Sequence, residues 1–151
     1  MMSFFPFIRR GTSMSFFNSA SRYQPHLLGI LRIMTGLLFM QHGLVKLFGF
    51  PAGALPGKVP LMGLMGVAGI IEAVGCLLIV LGLLTRPVAF IAAGFCAVAY
   101  WMAHGPQNFF PILNGGELAA LYCFVFLYFV AAGPGAFSID GARERTAATT
   151  D

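Results

Sequence analysis

The chain is 151 residues long, 58% hydrophobic and only 9% charged. A soluble domain carries about 25% charged residues, so too few polar groups remain here to coat a water-facing surface. The formal charge of +4 comes from scattered basic residues with no aromatic residues interleaved on a basic face, so nucleic acid is not an expected partner.

Residues 1–25 read as a flexible N-terminal tail or an interfacial helix. Arg9 and Arg10 follow the apolar stretch from Phe4 to Ile8, the reverse of a secretory signal's order. The segment has arginines and serines and no acid, a composition shared with transit peptides, and Met14 is an alternative start.

Residues 26–135 hold four continuous apolar runs, at about 27–47, 62–84, 88–104 and 117–132. A bilayer core about 30 Å thick needs about 20 apolar residues per helix. Barrel strands would instead alternate apolar and polar residues over ~10-residue lengths. The expected fold is therefore all-α, an integral membrane bundle of four transmembrane helices.

In chain order, the first helix starts after Pro25, and the loop behind it is irregular, with Pro51, Pro56 and Pro60 beside Gly53 and Gly57. The second helix ends at the turn Thr85-Arg86-Pro87, where Thr85 is a candidate cap for the third. Ala89, Ala93 and Ala97 give that third helix a row of small residues, which lets membrane helices approach closely. The fourth helix stops at Gly133-Pro134-Gly135, and residues 136–151 read as a polar, disordered tail.

Four spans put Arg9, Arg10, Arg22, Arg86, Arg143 and Arg145 on one side and Lys46 and Lys58 on the other. Positively charged loops stay inside, which places both termini in the cytoplasm. Cys76, Cys96 and Cys123 lie within spans, form no Cys-x-x-Cys pair and read as packing residues.

Ionisable side chains in a bilayer are costly and turn toward the bundle interior. Arg32, His42 and Lys46 share one sector of the first helix, and Glu72 lies on the second. Arg32 sits roughly 8–9 Å from the inner start of its helix, and Glu72 roughly 18 Å from the inner end of its own. An extended arginine covers most of that gap, so an Arg32–Glu72 ion pair is expected. Toward the outer end, His42, Lys46 and Glu117 are candidate catalytic groups, with Lys46 and Glu117 able to balance each other's charge. Gln41, His104, Asn108 and Asn114 are candidate polar groups of a small pocket open to the outside. His42, His104 and Glu117 lack a diagnostic ligand spacing, so no metal is expected.

A family likeness rests on these same residues. Arg32-x-x-x-Gly36 with Phe39-x-x-His42-Gly43-x-x-Lys46-Leu47-Phe48-Gly49 resembles the first helix of the DoxX family. Glu72-x-x-Gly75 and Leu81-Gly82-Leu83-Leu84-Thr85-Arg86 resemble its second helix and turn. Asn114-Gly115-Gly116-Glu117, Gly133-Pro134-Gly135 and Ser138-Ile139-Asp140 resemble its last segment. The likeness implies a small four-helix bacterial inner-membrane protein. It also implies a redox link, through a subunit associated with a thiosulfate:quinone oxidoreductase and through oxidative-stress complexes, while similar eukaryotic proteins act as receptor-assembly chaperones.

Two functions follow as expectations. The first is a redox-associated, quinone-linked membrane subunit. Because the chain has no haem, flavin or iron–sulfur motif and no dithiol, it would act with an electron-donating partner. The second is a non-catalytic bundle that binds a small lipophilic ligand or holds a protein partner during assembly.

Overall fold

The computed structural model describes residues 19–149, which form helices and no strand. What the sequence suggests for residues 1–18 lies outside the described residues. After a 3-10 turn at Ser21–Tyr23 comes α1, Gln24–Phe48. Next are α2, Leu64–Leu81, and α3, Thr85–His104. The short α4, Pro111–Asn114, precedes α5, Glu117–Ala132, and the described chain ends in α6, Ile139–Ala148. The helical stretch Ser21–Phe48 together with α2 and α3 is long and apolar enough to cross a membrane, and α5 is a shorter apolar helix.

Two helix pairs build the bundle, α1 against α2 and α3 against α5. The first pair is set by glycine. Gly29, Gly36 and Gly43 recur every seven residues along the buried stripe of α1. A Cβ on Gly43 would lie 2.5 Å from the Ala73 nitrogen, and one on Gly36 2.8 Å from a Val80 methyl. Without side chains at these points the two backbones reach contact, which is how membrane helices gain dispersion energy. The opposite face of α1 carries Leu27, Leu31, Met34 and Leu38, all exposed. The exterior is apolar while Arg32, Glu72 and Asn114 are buried, the inversion expected of a lipid-facing bundle.

Between the pairs lies a core of Phe39, Cys76, Ile79, Ala89, Ala93, Cys96, Phe126 and Phe129. The Phe39 ring centroid lies 4.9 Å from that of Tyr122 and 5.3 Å from that of Phe126, tilted and edge-on contacts that join α1 to α5.

At one end the two pairs are tied by polar side chains. Arg32 is fully buried, yet it pairs with no carboxylate among the described residues. Its guanidinium donates to the Ile79 carbonyl, to the Val80 carbonyl at 2.7 Å, and to those of Pro134, Ala136 and Phe137 at 2.8, 3.2 and 2.8 Å. It thus satisfies the open carbonyls at the C-terminus of α2, where the helix dipole favours a cation. The expected Arg32–Glu72 pair is therefore corrected. The register of α1 on α2 sets Arg32 level with Val80, about 12 Å along the axis from Glu72. Arg86 does for α5 what Arg32 does for α2, donating to Val130 and Ala131 carbonyls at 2.5 and 2.8 Å.

Two further expectations are revised here. The segment expected to be a disordered tail contains α6, started by Ser138, whose Oγ accepts the Gly141 N–H at 3.2 Å. The N-terminus of α3 is capped by Asp140, not by Thr85: its carboxylate accepts the Leu84 and Thr85 N–H groups at 3.0 and 2.8 Å.

Candidate functional site

Away from this tied end the helix pairs part around a cavity of about 590 Å³. Its walls come from α1, α2, α3 and α5, and include Phe39, Ala68, Phe95, Met102 and Tyr122. Three ionisable groups stand among these apolar residues on α1 and α2: His42, Lys46 and Glu72. A larger depression of about 880 Å³ lies beside α6, but it is an open surface feature against Phe137 and Arg143.

Lys46 Nζ donates to both carboxylate oxygens of Glu72 at 2.5 Å, and the two side chains are only 12% and 4% exposed. Lys46 is brought there by packing. The Gly69 position sits against Lys46 Cβ, so the lysine lies over the turn of α2 that carries Glu72. This replaces the expected Lys46–Glu117 balance, because Glu72 on the neighbouring helix is in reach within the bundle. An ammonium has three donors and this carboxylate uses two. One Lys46 N–H and further carboxylate lone pairs therefore remain for a ligand.

His42 lies one helical turn before Lys46, its ring 5.9 Å from Phe39 and 6.5 Å from Tyr122. It makes no hydrogen bond among the described residues, and it is an exposed residue of the cavity lining. His104 also lines the cavity. Its Nδ1 lies 2.9 Å from the Asn114 carbonyl oxygen. A carbonyl only accepts, so in the neutral ring Nδ1 carries the proton and Nε2 is the acceptor.

Glu72 and His104 share a local feature. Each lies in a stretch of π-helix, Ile71–Gly75 in α2 and Tyr100–His104 in α3. Such wide turns are uncommon and recur at functional sites. Here each carries an ionisable side chain that lines the same cavity.

The remaining candidates fall elsewhere. Buried Asn114 donates to Tyr100 Oη at 3.2 Å and to the Asn108 carbonyl at 2.8 Å, while its Oδ1 accepts the Gly116 N–H at 2.7 Å. Asn108 accepts the Phe110 N–H at 3.0 Å. Both asparagines fasten the loop between α3 and α5. Glu117 is exposed in the first turn of α5, off the cavity wall. Gln41 is exposed one turn beyond Leu37 and Leu38, on the outward stripe of α1. Sequence reasoning passed over Tyr122, whose place is one turn and a half into the last apolar run, and met Phe39 only as part of the family motif that leads to His42.

The DoxX family pattern matches residues 27–105, which carry α1 to α3 and therefore Arg32, His42, Lys46 and Glu72. An uncharacterized protein of Haemophilus influenzae is 45% identical over 131 residues, covering 82% of this chain and 95% of the relative. No solved structure matches. The apolar helices and the match across more than half of the sequence make this chain a membrane protein of the DoxX family.

Proposed function

We propose that the chain crosses a bacterial inner membrane four times with both termini in the cytoplasm. In this reading the cavity receives the polar head of a quinone or a similar small lipophile, and the protein serves a redox-associated complex with an electron-donating partner. The observation that carries it is the Lys46–Glu72 pair on the wall of an apolar cavity, with His42 one turn away. A cavity of about 590 Å³ lies within the roughly 300–1,000 Å³ span of small-molecule sites. A carbonyl oxygen on the ligand would accept the free Lys46 N–H, and a ring hydroxyl would donate to Glu72 or His42. The helix pairing supports four crossings: α5 runs antiparallel to α3, and Arg86 at the start of α3 reaches the end of α5. The 16 residues of α5 span about 24 Å, a mismatch that local thinning of the bilayer accommodates.

The test is chemical. The full chain in lipid nanodiscs is extracted with solvent and the extract analysed for quinone; a short-chain benzoquinone is then titrated. The expected result is stoichiometric binding, weakened tenfold or more by Glu72→Gln and by His42→Leu. Binding no stronger than to empty nanodiscs removes the reading.

A second reading, docking of a protein partner during assembly, draws on one observation. The loop between α3 and α5 exposes Phe109 at 83% and Ile112 at 74%, beside exposed Glu117. A stoichiometric protein partner with no bound quinone after purification favours it.

A further inference from the structure

We propose that the cavity is loaded sideways from the bilayer, through a portal between the outer halves of α2 and α3. Its ligand class is then a membrane-dissolved lipophile with a small, uncharged polar head. This inference deepens the ligand-binding reading above and rests on it.

Four observations converge. First, α2 approaches α3 through its segments Ile71–Gly75 and Cys76–Leu81, while its first two turns, Leu64–Ile70, pack on α1. The helices therefore diverge toward the outer end. Second, the cavity residues that are also exposed at this divergence are apolar: Leu64 and Val67 from α2, at 69% and 51%, with Val98 and Met102 from α3, at 56% and 61%. An entrance to bulk water would not be lined this way, whereas an acyl chain or isoprenoid matches it.

Third, the loop beside the cavity is tied down by polar bonds. His104 and Asn114 are bonded to each other, and Asn114 in turn holds Tyr100, Asn108 and Gly116. These bonds hold the loop in place, whereas the lateral route has no polar bond across it among the described residues. Fourth, Lys46 and Glu72 neutralise one another inside the cavity. The site offers a donor and acceptors without net charge, and a charged head would be penalised both in crossing the apolar portal and at its destination.

Two probes and two sets of variants test the proposal on the full chain in nanodiscs. The probes are decyl-tailed dimethoxymethylbenzoquinone and the same head without its tail. Binding is followed by quenching of Trp101, the single tryptophan of the chain. Val67→Phe with Val98→Phe narrows the portal at exposed positions that contribute little to the fold; Asn114→Ala loosens the loop. The expected result is a tailed probe that binds at least tenfold more tightly than the bare head after correction for partitioning. Its association slows at least tenfold in the portal variant and less than twofold in the loop variant. Equal affinity for both probes, or an association rate that responds to the loop and not to the portal, overturns lateral loading while leaving the cavity as a ligand site. Failure of both probes to bind overturns this inference together with the reading beneath it.

Discussion

Lys46 and Glu72 hold opposite charges in a place where neither is stable alone. Removing one partner of a buried pair leaves an uncompensated charge and costs on the order of 3–5 kcal/mol, whereas replacing both with apolar groups is often close to neutral. Glu72→Gln and Lys46→Met are each expected to lower stability by that order, and Lys46→Met/Glu72→Leu to lower it less than either. Thermal unfolding of the four proteins in detergent gives the coupling; additive losses would show that the two groups do not depend on each other. The double variant also separates folding from function, since it keeps the bundle while erasing the donor and acceptors in the cavity. Arg32 differs in kind. It has satisfied its donors on five backbone carbonyls, and none of them belongs to the cavity.

At the scale of elements, the ends of helices are held by side chains from elsewhere. Arg32 and Arg86 take the C-terminal carbonyls of α2 and α5, and Asp140 takes the first N–H groups of α3. The Asp140 link also steadies Leu84, a non-glycine residue at φ +52 in the turn between α2 and α3. Burial alone would raise the Asp140 carboxyl, but the Thr85 and Leu84 N–H groups outweigh it and hold it below the usual carboxylate range. A carboxyl depressed in the folded state contributes stability above its unfolded pKa, and that stability is lost as pH falls through the folded value. Asp140→Ala is therefore expected to cost about 1 kcal/mol near pH 7. The difference from the parent should shrink to nothing as the carboxyl protonates. Unfolding midpoints measured from pH 7 down into the acid range check this, and a gap that persists in acid would assign the effect to packing instead.

For the whole molecule, the starts of α1 and α3 and the ends of α2 and α5 gather at one end, where the Ala136 N–H donates to the Pro25 carbonyl at 2.8 Å. The proposed four crossings put both ends of the chain on one side, and Arg22, Arg86, Arg143 and Arg145 are the basic residues behind the proposal that this side is cytoplasmic. Ala52→Cys, in the loop after α1, is then expected to react with a membrane-impermeant maleimide in intact cells. Ala148→Cys, at the end of α6, should react only after permeabilisation. Labelling of both in intact cells would reduce the crossings to three.

The sequence by itself determined the solvent, the class of fold and the rough helix limits. Apolar runs of this length have few other ways to satisfy their backbones, so composition alone decides the matter. The last apolar helix was legible to the residue, at Glu117–Ala132, because glycines bound it on both sides. Local pattern also singled out every buried charge, since an ionisable residue in such a run is conspicuous. It could not say which charge meets which. That choice depends on the register of α1 against α2, and the register is fixed by Gly36 and Gly43 meeting α2 at contact distance, a fact of three dimensions. The π-helical turns at Glu72 and His104, and the parting of α2 from α3, were likewise decided by packing. The chain encodes the charges locally, but only the close approach of α1 to α2 and the parting of the two helix pairs set them on the wall of a cavity.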